Sequence, residues 1–336
     1  MRAALAEARK GIGQTSPNPA VGAVLVVGEK IVARGHHRGA GLPHAEVECL
    51  SGLKGPLMPG ATLYVTLEPC STPGKTGPCT DVILRAAVKT VVVGATDPNP
   101  HHLGRGLAIL EEAGTNVRAG VLADECAAIN EPFAKWIQTG RPFVTAKCGM
   151  SLDGRLTRPP QEGRWLTSVA ARRRANRLRA EVDAILVGAE TIRADDPQLT
   201  VRGVRGARQP WRVILTRSGN LPKNARVFTD RFADRTLVFR DRPLPDVLTE
   251  LGAKEITSVL IEGGGDVLGQ ALDAQLIDRV QIYLAPLFTG GPAVAFPGGG
   301  AGATIDALHL QNVSYEKIAG DIFVSGKTAH PASNSE

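Results

Sequence analysis

Aromatic residues make up only 4% of this 336-residue chain. A protein that grips single-stranded nucleic acid by stacking its bases needs aromatic platforms, so their scarcity argues against that class. Cysteine is scarce too. Cys49, Cys70, Cys79, Cys126 and Cys148 are odd in number and widely spread, unlike a disulfide framework. No apolar run approaches the ~18 residues of a membrane span, and Met1-Arg2-Ala3 does not open a signal peptide. These absences predict a cytoplasmic protein without a membrane or nucleic-acid partner, in which some cysteines are buried fillers and others functional. The net charge of +6 is mild. It favours anionic ligands such as phosphates but is too diffuse to diagnose nucleic-acid binding.

What is present describes an ordinary globular protein, 43% hydrophobic and 21% charged. The length exceeds what one hydrophobic core usually organises, so two domains are expected. Residues 2–10 are strong helix formers, stopped by Gly11 and then by Pro17 and Pro19. Residues 20–27 and 30–35 read as a hairpin around Gly28-Glu29. A short helix over 44–53, strands at 61–67, 89–95 and 116–121, and helices at 79–87 and 106–113 give a sheet covered by helices. Residues 123–138 read as helical. Thr139-Gly140-Arg141-Pro142 then reads as a linker, separating a domain at 1–140 from one at 141–326. The second series has strands at 143–148, 183–188, 211–216, 236–239, 258–261 and 280–285, with helices near 168–181, 245–252 and up to 276. That is an independent α/β domain. Residues 327–336 are polar and expected to be a disordered tail.

The chemistry begins at His44-Ala45-Glu46, with Glu68-Pro69-Cys70 and Cys79 downstream. A catalytic zinc takes three protein ligands of imidazole and thiolate type and leaves one position open. His44 and Glu46 lie two apart at a helix start, so one can ligate while the other reaches water. Cys70 and Cys79 sit at or near predicted helix N-termini, where thiolates are favoured. Bound zinc would bring a water pKa towards neutrality, and Glu46 could carry the proton to a leaving amine. Each piece alone has a plainer reading: His-x-Glu is common, and a single cysteine is usually a small hydrophobe. The combination matches the His-x-Glu and Pro-Cys signature of zinc deaminases. It departs in one respect, since eight residues, not two, separate Cys70 from Cys79. Cys49 is the rival third ligand, but it falls off the motif's face and is assigned as filler.

In the second half, Ile261-Glu262-Gly263-Gly264-Gly265-Asp266-Val267-Leu268-Gly269 follows a predicted strand and opens a helix. Free amides at such a start can bind a nucleotide phosphate. The turn is not Gly-x-Gly-x-x-Gly, and a tight turn without a ligand is the plain alternative. Arg172-Arg173-Arg174, Arg177 and Arg179 form a charge run, usually a solvated face, from which one or two members could enter a phosphate pocket.

Ser16-Pro17-Asn18-Pro19-Ala20-Val21-Gly22, Pro43-His44-Ala45-Glu46, and Thr66-Leu67-Glu68-Pro69-Cys70 through Pro78-Cys79 resemble the bifunctional riboflavin-biosynthesis deaminase/reductase family. So do Lys147-Cys148-Gly149-Met150-Ser151-Leu152-Asp153-Gly154, Arg164-Trp165-Leu166-Thr167-Ser168 and the stretch from Ala194 to Arg202. The resemblance runs from about residue 1 to 326. It implies an α/β fold class: an N-terminal cytidine-deaminase-like three-layer domain, then a C-terminal dihydrofolate-reductase-like domain. It implies zinc-dependent deamination of 2,5-diamino-6-(5-phosphoribosylamino)pyrimidin-4(3H)-one, followed by NADPH-dependent reduction of the ribosyl group to ribityl. His44, Cys70 and Cys79 match the family's zinc ligands and Glu46 its proton shuttle. Asn18 matches a pyrimidine contact, and Lys75 suits the substrate phosphate. Cofactor contacts fall on Gly149, Trp165, Thr191, Asp195 and Gly264-Gly265-Asp266-Val267-Leu268-Gly269-Gln270. Substrate contacts fall on Gly163, Arg179, Leu199, Arg202 and Glu262, the two arginines suiting a phosphate. Lys147 and Asp195 are the candidates for proton handling in the reductase. The partners are small-molecule phosphoribosylaminopyrimidines, and a homo-oligomer is expected. Ser16 and Thr72 stand where the family commonly has histidine, and Gly163 and Arg217 where it has serine. Two rivals remain: a base deaminase with a basic nucleic-acid-binding half, and a structural zinc module, which would leave Glu46 without a task.

Overall fold

A computed structural model describes residues 1–53, 55, 57–72, 77–158, 162–163, 165–303 and 306–329. The chain divides into two compact units, the first ending at Arg141 and the second starting at Pro142. Among the described residues no helix is long and apolar enough to cross a membrane.

The first unit runs α1 (Arg2–Ala8), β1 (Gly22–Val27), β2 (Lys30–His36), α2 (Ala45–Ser51), β3 (Thr62–Leu67), α3 (Cys79–Arg85), β4 (Thr90–Ala95), α4 (Arg105–Glu112), β5 (Asn116–Arg118), α5 (Ala123–Ile129) and α6 (Glu131–Thr139). Its sheet has the order β2-β1-β3-β4-β5. β1 is antiparallel to both neighbours, while β3, β4 and β5 are parallel. The parallel strands are almost wholly apolar because helices cover both faces, and Leu63, Val65, Val91 and Val93 have no exposed surface.

Residues 123–138, read as helical, form two helices. The break falls at Asn130, whose side chain is committed elsewhere: its Oδ1 accepts from Ala20 N at 2.7 Å and its Nδ2 donates to Ala20 O at 3.0 Å. Pro132 then lacks the N–H that a continuous helix would need there.

The second unit runs β6 (Phe143–Ser151), α7 (Val169–Leu178), β7 (Ala184–Gly188), α8 (Ala189–Asp195), β8 (Trp211–Thr216), α9 (Arg226–Thr229), β9 (Thr236–Arg240), α10 (Leu244–Ala253), β10 (Ser258–Gly263), α11 (Gly265–Asp273), β11 (Arg279–Ala285), β12 (His309–Ile318) and β13 (Asp321–Ala329). These strands form one sheet in the order β12-β13-β11-β6-β10-β7-β8-β9. The six from β11 to β9 are parallel, and the β12–β13 hairpin adds an antiparallel edge. That hairpin corrects the start of the expected tail: residues 327–329 pair with β11 and β12, where Lys327 lies opposite Arg279 and Gln311, while residues 330–336 lie outside the described residues.

Candidate active sites

In the first unit, β3 ends at Leu67 and the chain turns through Glu68-Pro69-Cys70. Glu68 is buried and fixes this turn. Its carboxylate accepts from the main-chain N–H groups of Asp97 (3.1 Å), Gly104 (3.0 Å) and Gly106 (2.9 Å), tying the loop between β4 and α4 to the end of β3. Cys79 is the first residue of α3, and His44 is the residue just before α2. These three elements bring the expected ligands together. His44 Nδ1 lies 3.5 Å from Cys70 Sγ and 3.3 Å from Cys79 Sγ, and the three donor atoms are within 4.8 Å of one another.

A tetrahedral zinc with Zn–N and Zn–S bonds of ordinary length sets its N and S donors about 3.5 Å apart. One imidazole nitrogen and two sulfurs at these separations therefore fit the ion, with a fourth position left over. The hydrogen bond from Cys79 lowers the pKa of Cys70 to about 4, and the same bond pushes Cys79 up. Cys49 is fully buried and outside this group, its thiol pushed up to about 12 by burial. Glu46, on the first turn of α2, is 3% exposed, and burial raises its carboxyl to about 7.

Asn18 is linked to this centre through a residue that sequence reasoning passed over. His37 is buried, its Nε2 is 3.1 Å from Asn18 Nδ2, and its ring meets that of His44 edge-on at 5.2 Å. Thr72 shares a hydrogen bond with His102 at 3.4 Å. Lys75 lies outside the described residues.

In the second unit a cavity of about 1070 Å³ opens over the carboxyl ends of the parallel strands. Lys147, Gly149, Trp165, Thr191, Asp195, Glu262, Gly264, Gly265, Asp266, Val267, Leu268 and Gln270 line it. Register explains part of this grouping. Ile261 pairs with Ala146, so Glu262 and Lys147 are neighbours on one face of the sheet. Gly264 has φ of 74°, which lets β10 turn directly into α11.

Five expected residues are not on the lining. Gly269 is buried where a Cβ would meet Pro297 O at 1.6 Å, so it serves close packing of α11. Leu199 is 3% exposed and packs in the core with Val182 and Ile185. Gly163 has φ of 81°, a conformation glycine adopts without strain. Arg202 is exposed. Arg179 was expected to face a phosphate, but its guanidinium is engaged: Nε and Nη2 donate to Glu262 at 2.8 and 2.6 Å, and Nη1 donates to Thr200 O. Burial opposes ionisation of Glu262, but Arg179, Lys147 and Arg202 together outweigh it and hold the carboxyl below its usual range.

The arginine run is not simply solvated. Arg172 lines the cavity, donates to Thr167 O at 2.6 Å and stacks over Trp165 at 4.9 Å. Arg174 pairs with Glu316 and covers the Phe323 ring. Arg217 also lines the cavity. Tyr283 on β11 is 1% exposed, and its hydroxyl makes no hydrogen bond among the described residues. Removing an orphaned buried hydroxyl relieves a desolvation cost, so Tyr283→Phe should leave thermal stability unchanged or raise it by about 1 kcal/mol. A loss of that size in calorimetry would mean the hydroxyl has a partner.

Comparison with known proteins agrees with both halves. The "Cytidine and deoxycytidylate deaminase zinc-binding region" matches residues 1–95, and the "RibD C-terminal domain" matches residues 142–324. Riboflavin biosynthesis protein RibD of Bacillus amyloliquefaciens is 39% identical over 349 residues, covering 96% of this chain and 94% of that protein. RibD of Mycobacterium tuberculosis (strain H37Rv) is 41% identical over 320 residues, covering 93% and 92%. Among solved structures, Acinetobacter baumannii RibD has a TM-score of 0.89 at 35% identity, with 98% of each chain covered. The diaminohydroxyphosphoribosylaminopyrimidine deaminase/5-amino-6-(5-phosphoribosylamino)uracil reductase of Thermotoga maritima has a TM-score of 0.86 at 34% identity, covering 98% and 97%. A cytidine-deaminase-like domain is thus followed by a reductase domain of dihydrofolate-reductase-like fold. The chain belongs to the RibD family of riboflavin biosynthesis proteins.

Proposed function

We infer that the chain catalyses two reactions in riboflavin biosynthesis. The first is zinc-dependent hydrolytic deamination of 2,5-diamino-6-(5-phosphoribosylamino)pyrimidin-4(3H)-one. The second is NADPH-dependent reduction of the ribosyl group of 5-amino-6-(5-phosphoribosylamino)uracil to ribityl. The Thermotoga maritima relative is named for both activities. The observation that carries the deaminase reading is the buried carboxylate of Glu46 beside the His44, Cys70 and Cys79 donors.

His44, Cys70 and Cys79 would hold a zinc ion, which would supply Lewis-acid activation of water at neutral pH. Glu46 takes the proton that the attacking water gives up and delivers it to the exocyclic amine, which leaves as ammonia. Its burial supports this role, because a carboxyl raised to about 7 can both accept and release a proton near neutrality. Asn18 orients the pyrimidine.

In the reductase, bound NADPH would supply the hydride. The start of α11 at Gly265-Asp266 offers main-chain N–H groups suited to its phosphates. Lys147 and Asp195 move protons as the sugar ring opens. Glu262, kept ionised by Arg179, accepts hydrogen bonds from substrate, and Arg202 is left as the phosphate candidate.

A coupled assay tests the whole reading. Ammonia release should require zinc, and NADPH oxidation should follow only on the deaminated product. Binding of single-stranded oligonucleotide without NADPH consumption would favour the rival base deaminase instead.

A further inference from the structure

The geometry points to His37 as a positioning residue that locks the Asn18 amide with its oxygen free, so that the deaminase site offers the ligand a hydrogen-bond acceptor there. This rests on reading the first unit as an aminopyrimidine deaminase. His37 is 2% exposed and lies on neither expected motif. Both of its ring nitrogens have partners. Nδ1 is 3.0 Å from the carbonyl oxygen of Pro43, and Nε2 is 3.1 Å from the amide nitrogen of Asn18.

The chain of assignments starts at Pro43. A main-chain carbonyl can only accept, so the hydrogen of that bond sits on His37 Nδ1. A neutral imidazole carries one N–H, which leaves Nε2 as an acceptor. Its partner must then donate, and only the –NH₂ end of the Asn18 amide can. Asn18 Oδ1 is therefore the free end.

The alternatives are poorer. The other tautomer would set a ring lone pair against the Pro43 oxygen at 3.0 Å and lose that hydrogen bond. A second ring proton would place a charge in a buried position whose two hydrogen-bond partners are neutral. Glu48, the acidic residue on the first turn of α2 nearest in sequence to this site besides Glu46, is paired with Arg38.

The rest of the segment is held as well. Asn18 N donates to Thr15 O at 2.9 Å, so the amide is presented from a fixed main chain. Among the described residues Oδ1 has no hydrogen-bond donor, and it is left for the ligand. An oxygen locked in this sense recognises a ring N–H or an amine and repels a carbonyl. That is a selection for the amino-substituted ring, made by two residues that are not among the metal donors.

The test uses the full-length, zinc-loaded protein. Long-range ¹H–¹⁵N spectra of its histidines should show His37 protonated at Nδ1 and bare at Nε2. His37→Phe frees the Asn18 amide to turn, and should raise the deaminase KM by about 3- to 10-fold with kcat much less affected. Zinc content and NADPH oxidation on the deaminated product should not change. His37→Gln carries a donor and an acceptor about as far apart as the two ring nitrogens, and should return KM towards the wild-type value. An Nε2–H tautomer in the wild-type spectrum, or an unchanged KM in His37→Phe, would overturn the assignment. The spectrum is read on the wild-type chain, so it decides the matter even if a variant fails to fold. Absence of ammonia release by the wild-type enzyme would instead refute the underlying deaminase reading.

Discussion

Glu46→Gln will lower ammonia release by about three orders of magnitude while the zinc content stays that of the wild type. The substitution keeps the shape and burial of a side chain that is 3% exposed and removes only its ability to take up a proton. The three donors are His44 Nδ1 and the two sulfurs, and Glu46 is not among them, so metal should remain. Metal analysis and an ammonia assay on one preparation check both halves of the expectation. Retained activity would mean that another base serves the water. Lost zinc would mean that ligand and shuttle have been confused. NADPH oxidation on deaminated substrate should be unaffected, since Lys147, Asp195 and Glu262 belong to the other compact unit.

The second large effect concerns the buried pair of Arg179 and Glu262. Glu262→Ala leaves a guanidinium whose side chain is 15% exposed without its carboxylate, and should destabilise the reductase unit by about 3–5 kcal/mol. Denaturant unfolding of the full chain, followed by a probe in the second unit, measures it. The pH dependence has a definite sign. The folded pKa of Glu262 is depressed, so its contribution is fully present above the unfolded carboxylate value. It fades as pH falls through the lower folded value. The stability difference between wild type and Glu262→Ala should therefore shrink below about pH 4 and be flat above pH 5. A difference that grew on acidification would show that the carboxyl is buried neutral instead. Catalysis gives an independent readout, because NADPH binding should survive while KM for the deaminated substrate rises.

The deaminase site was largely legible because its signals are local. His44-Ala45-Glu46 lies at one helix start, and Cys70 and Cys79 lie at a strand end and the next helix start. The wide gap between the cysteines costs nothing in geometry, since the chain returns to place Cys79 N against Cys70 Sγ at 3.4 Å. What escaped the sequence depends on distant partners. The helix break at Asn130 is caused by Ala20, 110 positions away. Arg179 and Glu262 were both assigned to substrate, and their mutual pairing across 83 positions has no local mark. His37 falls between motifs and becomes visible only when Pro43 and Asn18 flank it. The β12–β13 hairpin was missed because β12 is mostly exposed and lacks apolar alternation. Gly269, which the family resemblance placed among the cofactor contacts, is closely packed against Pro297.

The clasp at Glu68 has a consequence for how the enzyme is assembled. Its three main-chain hydrogen bonds, with the buried strands behind them, hold Cys70 and the β4–α4 loop in place through contacts that include no metal. Small zinc modules are unfolded until the ion arrives, because the ion is their core. Here the core is Leu63, Val65, Val91 and their neighbours, and the socket is built on top of it. Chelation should then give a folded chain with an empty but ready deaminase site, still able to oxidise NADPH. Metal supply would govern the deamination without touching the catalytic machinery of the reduction.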